Sequence, residues 1–457
     1  MLTERDGVQL KLHSLTIEDL VPADHFLRKL EAAVDFSFIY DAVRNLYSTD
    51  NGRPSTDPVV LVKYLLVGYL YGIESERRIE QEIQVNMAYR WFLGLDVDGT
   101  VPDHSTISQN RRRRFNGEDL FRRLFEHVLF LCIEHGLVDG RVILTDSTHV
   151  KANASRKSEV TVLVERQAYA YMERLDAYEA LEREQLGEEK KPPRNPGGGE
   201  KASGTVKRRV STSDPDAGFL RRDNKPQGMH YLSHQSVDAK KGIVVDVAVT
   251  PGNVNDAMPY LGRVEYMQDC LGLPIETVGV DSGYDISLVH QVLSERNIEV
   301  CAPGNKKSGV THKVEFDKTA FQYDKEADTF LCPAGKGLRF KKLERTASNI
   351  CRRYEAERED CKGCPYFKKC VSEKHKKRCL RVNIFEKAMA ANHAKDGTPE
   401  HEHILKLRQI WCEGSFAAQK ARHNLKRLFR RGKEAAETHC LLSATALNLK
   451  RMVRCLG

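Results

Sequence analysis

Two short apolar runs, each ending on an aspartate, constrain this chain more than any other feature: Arg141-Val-Ile-Leu-Thr-Asp146 and Thr277-Val-Gly-Val-Asp281. Runs this short and apolar suit strands buried on both faces, with the terminal acid facing whatever lies beyond the strand end. Between them, residues 230–237 and 243–250 flank the glycine-ended turn Asp238-Ala-Lys-Lys-Gly242. Ile243, Val245, Val247 and Val249 alternate on one face, which predicts a β-hairpin. After Asp281, the spacing of Ile286, Val289, Val292 and Leu293 predicts a helix, and Ile298-Glu-Val-Cys-Ala-Pro303 a further strand. Strand, hairpin, strand, helix and strand in this order describe an α/β fold with a mixed sheet flanked by helices.

The remaining sequence hangs on that frame. At 457 residues the chain exceeds one ordinary core, so two or three domains, or one with large insertions, are expected. Residues 1–125 read as an all-helical domain. Within it Thr56-Asp-Pro58 is a helix start, a second helix covers 75–83, and Asp103 or Ser105 caps a short helix ending in Arg111, Arg112, Arg113 and Arg114. That end resembles the last helix of a helix-turn-helix unit lying against DNA. The plainer reading is a solvated helix end, where cations oppose the negative pole of the helix dipole. Residues 138–304 form the first part of the core, with a charged insertion over about 155–225 that reads as helical. Its Lys190-Lys-Pro-Pro-Arg-Asn-Pro-Gly-Gly-Gly stretch has a loop composition. Residues 305–395 are a basic, cysteine-rich, poorly periodic insertion. Residues 396–457 return to helix, with Ile404, Leu407, Trp411, Gly414, Ala418, Ala421, Leu425 and Leu428 forming one continuous packing stripe.

A net charge of +8 with 40% hydrophobic and 30% charged residues describes a globular chain with a polyanionic partner. No export signal is evident at the N-terminus, so a cytoplasmic protein is expected. The most apolar stretch, 59–71, is short and interrupted by Lys63, which favours a core helix over a membrane span. Twelve cysteines without such a signal argue against a disulfide framework. Cys361-Lys-Gly-Cys364 with Cys370 and Cys332 supplies four thiols suited to structural zinc, and Cys351 or Cys379 could replace one; ordinary buried cysteines are the alternative.

Carboxylates at the ends of neighbouring strands meet the needs of phosphodiester chemistry, in which two divalent metals about 4 Å apart serve the attacking and leaving oxygens. Asp146 and Asp281 are such a pair. Glu413 is the candidate third acid, because Lys420 and Arg427 follow at steps of seven and would share its helix face, offering cations to DNA phosphates. Each residue alone has a plainer reading: a strand-end aspartate as a turn cap, and Glu413 and Lys420 as surface charges. His149 and His234 read as structural.

As a set, Asp146-Ser-Thr, Thr-Pro-Gly-Asn-Val-Asn-Asp256, Val-Asp281-Ser-Gly-Tyr-Asp and Glu413 with Lys420 resemble bacterial insertion-sequence DDE transposases, with the IS1182-like branch of the IS4/IS5-type group as the nearest pattern. Arg53-Pro-Ser-Thr-Asp-Pro and Pro102-Asp-His-Ser-Thr-Ile-Ser extend the resemblance to the helical region. It implies a ribonuclease-H-like core in which Asp146, Asp281 and Glu413 bind Mg²⁺ or Mn²⁺, with Lys420 and Arg408 beside the third acid. Arg408 stands one residue farther from the glutamate than in the broader IS4 pattern, and no tyrosine precedes it. The implied activity is hydrolysis and strand transfer at terminal inverted repeats, on double-stranded DNA, by a homodimer or larger assembly. A catalytically silent DNA-binding derivative and a ribonuclease-H-fold nuclease are the rival readings.

Overall fold

A computed structural model describes residues 14–48, 55–115, 119–165, 170–187, 205–221, 227–303, 315–346, 349–371 and 375–457. The proline- and glycine-rich stretch at 190–199 lies outside them.

The chain opens with helices α1 (Ile17–Leu20), α2 (Phe26–Ala33), α3 (Phe38–Val43), α4 (Pro58–Tyr71), α5 (Glu76–Val85), α6 (Met87–Phe92), α7 (His104–Arg113) and α8 (Leu120–Glu134). Sequence sets their starts: Asp57 accepts from the Val59 N–H at 2.7 Å, with Pro58 in the first turn, and Asp103 accepts from the Ser105 N–H at 2.7 Å. Helix α4 is buried on nearly every side. Its Lys63 is tolerated there because its ammonium reaches Glu31 at 2.5 Å.

The central sheet is built from β1 (Val142–Lys151), β4 (Gly218–Leu220), β5 (Gly228–Asp238), β6 (Val244–Pro251), β7 (Thr277–Gly279) and β8 (Glu299–Cys301). Strand β5 lies antiparallel to β1 and β6, while β7 is parallel to β1 and β8 parallel to β7. The spatial order is therefore β6-β5-β1-β7-β8, with β4 on the other part of β5. The fold is mixed α/β, as the apolar runs predict. Helices α10 (Tyr260–Glu265) and α11 (Ser287–Glu295) fill the connections to β7 and β8. Each makes the crossover that a parallel pair requires.

Two stretches differ from expectation. The 155–225 insertion is not purely helical: β2 (Glu159–Glu165) and β3 (Thr205–Ser211) pair antiparallel around α9 (Ala170–Gln185). The β-branched residues Val160, Thr161 and Val162 favour strand despite the surrounding charge. Residues in the 305–395 stretch form a five-stranded antiparallel sheet of β9 (Gln322–Asp324), β10 (Thr329–Leu331), β11 (Gly337–Arg345), β12 (Ile350–Ala356) and β13 (Cys379–Asn383), with short helices α12 (Arg358–Cys361) and α13 (Phe367–Cys370). It has its own small core around Phe330, Leu338 and Tyr354. Charged residues between the apolar ones mask its periodicity, because one face of the sheet is solvated.

The C-terminal part is α14 (Glu386–His393), α15 (Pro399–Arg408), a wider π-helical turn over Gln409–Glu413, α16 (Gly414–Arg422) and α17 (Lys433–Leu456). The expected continuous stripe breaks at His423 and Asn424, where Asn424 adopts φ +62°. Ala421 is exposed, and Leu425 and Leu428 are buried from a non-helical segment. Helix α17 packs on α2, α4, α8 and β6. One hydrophobic core therefore runs through the N-terminal helices, the sheet and α17, and packing shows no boundary near residue 125. Among the described residues, no single helix is long and apolar enough to cross a membrane.

Candidate active site

The parallel register between β1 and β7 pairs Leu144 with Gly279. Asp146 and Asp281 each stand two residues beyond that rung, so they lie opposite each other on the same side of the sheet. Only Asp281 follows a strand end as expected: β1 runs on past Asp146 to Lys151, because its polar residues keep pairing with β5. Each accepts a hydrogen bond on Oδ1 from the following backbone N–H, Ser147 for Asp146 and Ser282 for Asp281, both at 2.7 Å. Asp281 thus caps the turn over Ser282–Tyr284, as the plainer reading expects.

The other oxygen of Asp146 accepts from Arg408 Nη1 at 3.1 Å. Asp146 is mostly buried, and burial pushes its carboxyl above the ordinary range. The Ser147 N–H and Arg408 oppose that rise, and the nearby charges of Asp281 and Asp256 add to it. Asp256 is a site member that sequence reasoning left unassigned. Its Oδ1 accepts from Ser147 Oγ at 2.7 Å, and its Oδ2 faces Gly283 in the Asp281 turn. The signal was present in the Thr-Pro-Gly-Asn-Val-Asn-Asp256 motif, but only the fold brings that loop against Ser147 on β1 and the Asp281 turn.

Glu413 is exposed at the end of the π-helical turn. That turn packs against β1 and β5, and its Cys412 is buried within electrostatic reach of Asp146, Arg408 and Glu413. Helix α16 is then locked onto the sheet. The buried amides of Gln235 and Gln419 exchange two hydrogen bonds, at 2.9 and 2.7 Å, and Lys420 Nζ donates to Thr148 Oγ1 at 2.5 Å. Thr148 lies two residues past Asp146 on the same face of β1, so Lys420 sits beside that carboxylate.

Other sequence candidates fall elsewhere. Arg111 is buried and paired with Glu76 at 2.6 Å, so it is an internal charge and not a phosphate contact. Arg114 is half-buried over the Tyr47 ring, while Arg112 and Arg113 are exposed. Arg408 faces Asp146 instead of an outer DNA surface. Arg427 is exposed but lies beyond the end of α16, next to Lys151 at the end of β1, so it does not share a helix face with Glu413. His234 is fully buried, its Nε2 bonded to Thr250 Oγ1 at 2.8 Å, which fits a structural role. Cys332, Cys361, Cys364 and Cys370 line one cavity of the small sheet, whereas Cys351 and Cys379 lie on β12 and β13 outside it. No three of the four lining sulfurs come within 4.8 Å of one another.

Two family models match the chain: Transposase domain (DUF772) over residues 15–113, and Transposase DDE domain over residues 331–453, a span that includes Glu413 and Lys420. No curated protein matches it. Among solved structures, the piggyBac transposase synaptic complex with hairpin DNA is similar at 10% identity over 94% of this chain and 74% of that one, with a TM-score of 0.34. The Mos1 transposase paired-end complex is similar at 12% identity over 55% of this chain and 62% of that one, with a TM-score of 0.17. One family model lies on the N-terminal helices and the other spans Glu413, and together they identify this chain as an insertion-sequence DDE transposase.

Proposed function

We propose that the chain cuts and joins DNA at the terminal inverted repeats of its own element with Asp146, Asp281 and Glu413 as its metal-binding acids. The observation that carries this reading is the β1–β7 register, which sets Asp146, midway along β1, opposite Asp281, just past the end of the parallel strand β7. The strand order β6-β5-β1-β7-β8, antiparallel on one side of β1 and parallel on the other, supports a ribonuclease-H-like core.

The donor set fits Mg²⁺ or Mn²⁺: hard carboxylate oxygens, crowded enough that Asp281 and Asp256 raise the Asp146 carboxyl. When bound, such ions supply positive charge to the attacking and departing phosphate oxygens. The protein's own part is positional. Arg408 orients Asp146, the Gln235–Gln419 pair holds α16 in place, and Lys420 beside Thr148 offers a cation to a phosphate next to the acids. Arg112, Arg113 and Arg427 are the exposed cations proposed to contact double-stranded DNA farther out. Two ends require two active sites, so the working form on DNA is a homodimer or larger. The four cavity-lining cysteines are proposed to close on a structural Zn²⁺. The Lys336 N–H already donates to Cys332 Sγ at 3.3 Å, a contact suited to a metal-bound thiolate.

The test is nicking of labelled element ends in Mg²⁺ by purified protein. Asp146→Asn, Asp281→Asn and Glu413→Gln should each lose at least about a hundredfold in rate with DNA binding retained. Full activity in any one removes that residue from the site. Cleavage that ignores the terminal repeats would instead indicate a general nuclease.

A further inference from the structure

Asp285 closes the turn that begins at Asp281, and its side chain is fully buried. Its Oδ1 accepts two imidazole N–H groups: Nε2 of His290 on α11 at 2.8 Å, and Nε2 of His393, the last residue of α14, at 3.0 Å. The His290 side chain is fully buried and that of His393 is 29% exposed. Asn392 Nδ2 donates to Nδ1 of His290 at 2.9 Å. Burial alone would raise the Asp285 carboxyl, but the hydrogen bonds and charges of the two histidines outweigh it and keep the group below the ordinary range. The three donor atoms come from three separate segments and lie within 4.8 Å of one another.

Helix α14 buries none of its residues, so apolar packing does little to hold it. What ties it to α11 is this polar cluster. In a tetrahedral site, N and O ligands at about 2.0–2.2 Å from zinc stand roughly 3.3 Å apart, so the two carboxylate–imidazole distances need to open by only about half an ångström. Two imidazoles and one carboxylate suit zinc-like ions and do not suit Mg²⁺.

We propose that Asp285, His290 and His393 bind a late first-row divalent cation, Zn²⁺ by donor type, at a site separate from the carboxylates at Asp146 and Asp281. Binding needs an unprotonated Nε2 on each ring, so the proton that each now donates to Asp285 leaves Nε2, that of His290 for its own Nδ1 and that of His393 for Nδ1 or solvent. Asn392 rotates its amide to accept from Nδ1 of His290, giving up its long 3.4 Å bond from the Val300 N–H. It then holds the ring in its ligating orientation. The exposed flank of His393 gives the ion a path from solvent and a position for a water as fourth ligand. The ion would staple the Asp281 turn to α14, the segment that leads into α15 and Arg408.

The test is zinc stoichiometry of the purified full chain by elemental analysis, after chelator stripping and reloading with Zn²⁺, with Co²⁺ absorption as a second readout. His393→Ala and Asp285→Asn should each bind one equivalent fewer than the parent chain. The same loss is expected in a Cys361→Ser/Cys364→Ser background, where the Co²⁺ bands should lack thiolate charge transfer. Asn392→Ala should weaken affinity roughly ten- to a hundredfold. Asp281→Asn should leave the stoichiometry unchanged, which separates this site from the proposed catalytic one. Equal zinc content in the parent and His393→Ala, or loss only on removing the cysteines, overturns the proposal. If Asp285→Asn does not fold, the part-exposed His393→Ala decides alone.

Discussion

At Asp146 burial and charge pull in opposite directions. Its folded carboxyl titrates above its unfolded value, so ionisation costs the metal-free protein stability, and that cost grows as pH rises from the unfolded toward the folded value. A divalent cation should relieve it. Mg²⁺ at about 100-fold above its Kd should stabilise the protein by about 2.7 kcal/mol near neutral pH, read as a rise in Tm. The gain should fade as pH falls toward the ordinary carboxylate range and shrink in Asp146→Asn; a gain that persists in acid would place the ion elsewhere. Arg408 lowers the same carboxyl. Arg408→Ala should therefore move the acidic limb of the cleavage–pH profile to higher pH, beyond any loss of rate. An unmoved limb would mean that Arg408 serves only packing.

Elements are positioned here by close approach as much as by pattern. A Cβ on Gly279 would lie 2.8 Å from Ile404 Cγ2 and 2.9 Å from Leu144 Cδ2, so only glycine lets α15 ride directly on β7. Gly279→Ala should cost about 1–3 kcal/mol in denaturant unfolding and should slow cleavage as well, because α15 carries Arg408 to Asp146. Gly242 combines φ +73° with contact against the Trp411 ring, which fixes the β5–β6 turn beneath the π-helical segment. That segment also explains the extra residue between Arg408 and Glu413. A π turn takes up one residue more than an α turn, so Arg408 still meets Asp146 despite its spacing in sequence. The β1 and β7 runs and the hairpin were legible because alternation and apolar runs are local signals, whereas the polar continuation of β1 past Asp146 was not. The π turn and the break at Asn424 were not, since both depend on what the helix packs against.

The whole molecule is held by a core that joins chain regions far apart in sequence. His439 on α17 bonds Tyr69 Oη and the Asn424 carbonyl, at 2.8 and 2.7 Å, and His423 bonds the Tyr69 carbonyl at 2.8 Å. Burial pushes both imidazoles down to about 4. A depressed histidine contributes stability that is present above its unfolded value near 6.5 and is lost as pH falls through the folded value. Stability should thus decline between about pH 6.5 and 4, at up to about 2.7 kcal/mol per pH unit for two protons, and His439→Gln should flatten the decline. DNA affinity belongs to the same scale. Binding through Arg112, Arg113, Lys420 and Arg427 should weaken steeply with salt, the logarithmic slope falling by about one for each contacting cation removed.

The sequence by itself determined the sheet frame, the turn at Asp281 and the helix starts, because hydrophobic period and capping act between near neighbours. Only the tertiary structure decided that Arg111 is an internal charge, that Arg408 turns to Asp146, that Asp256 joins the acidic cluster, and that the helical region shares its core with α17. Those outcomes depend on burial and on pairing between residues tens to hundreds of positions apart, and no local pattern encodes which partner a side chain will meet.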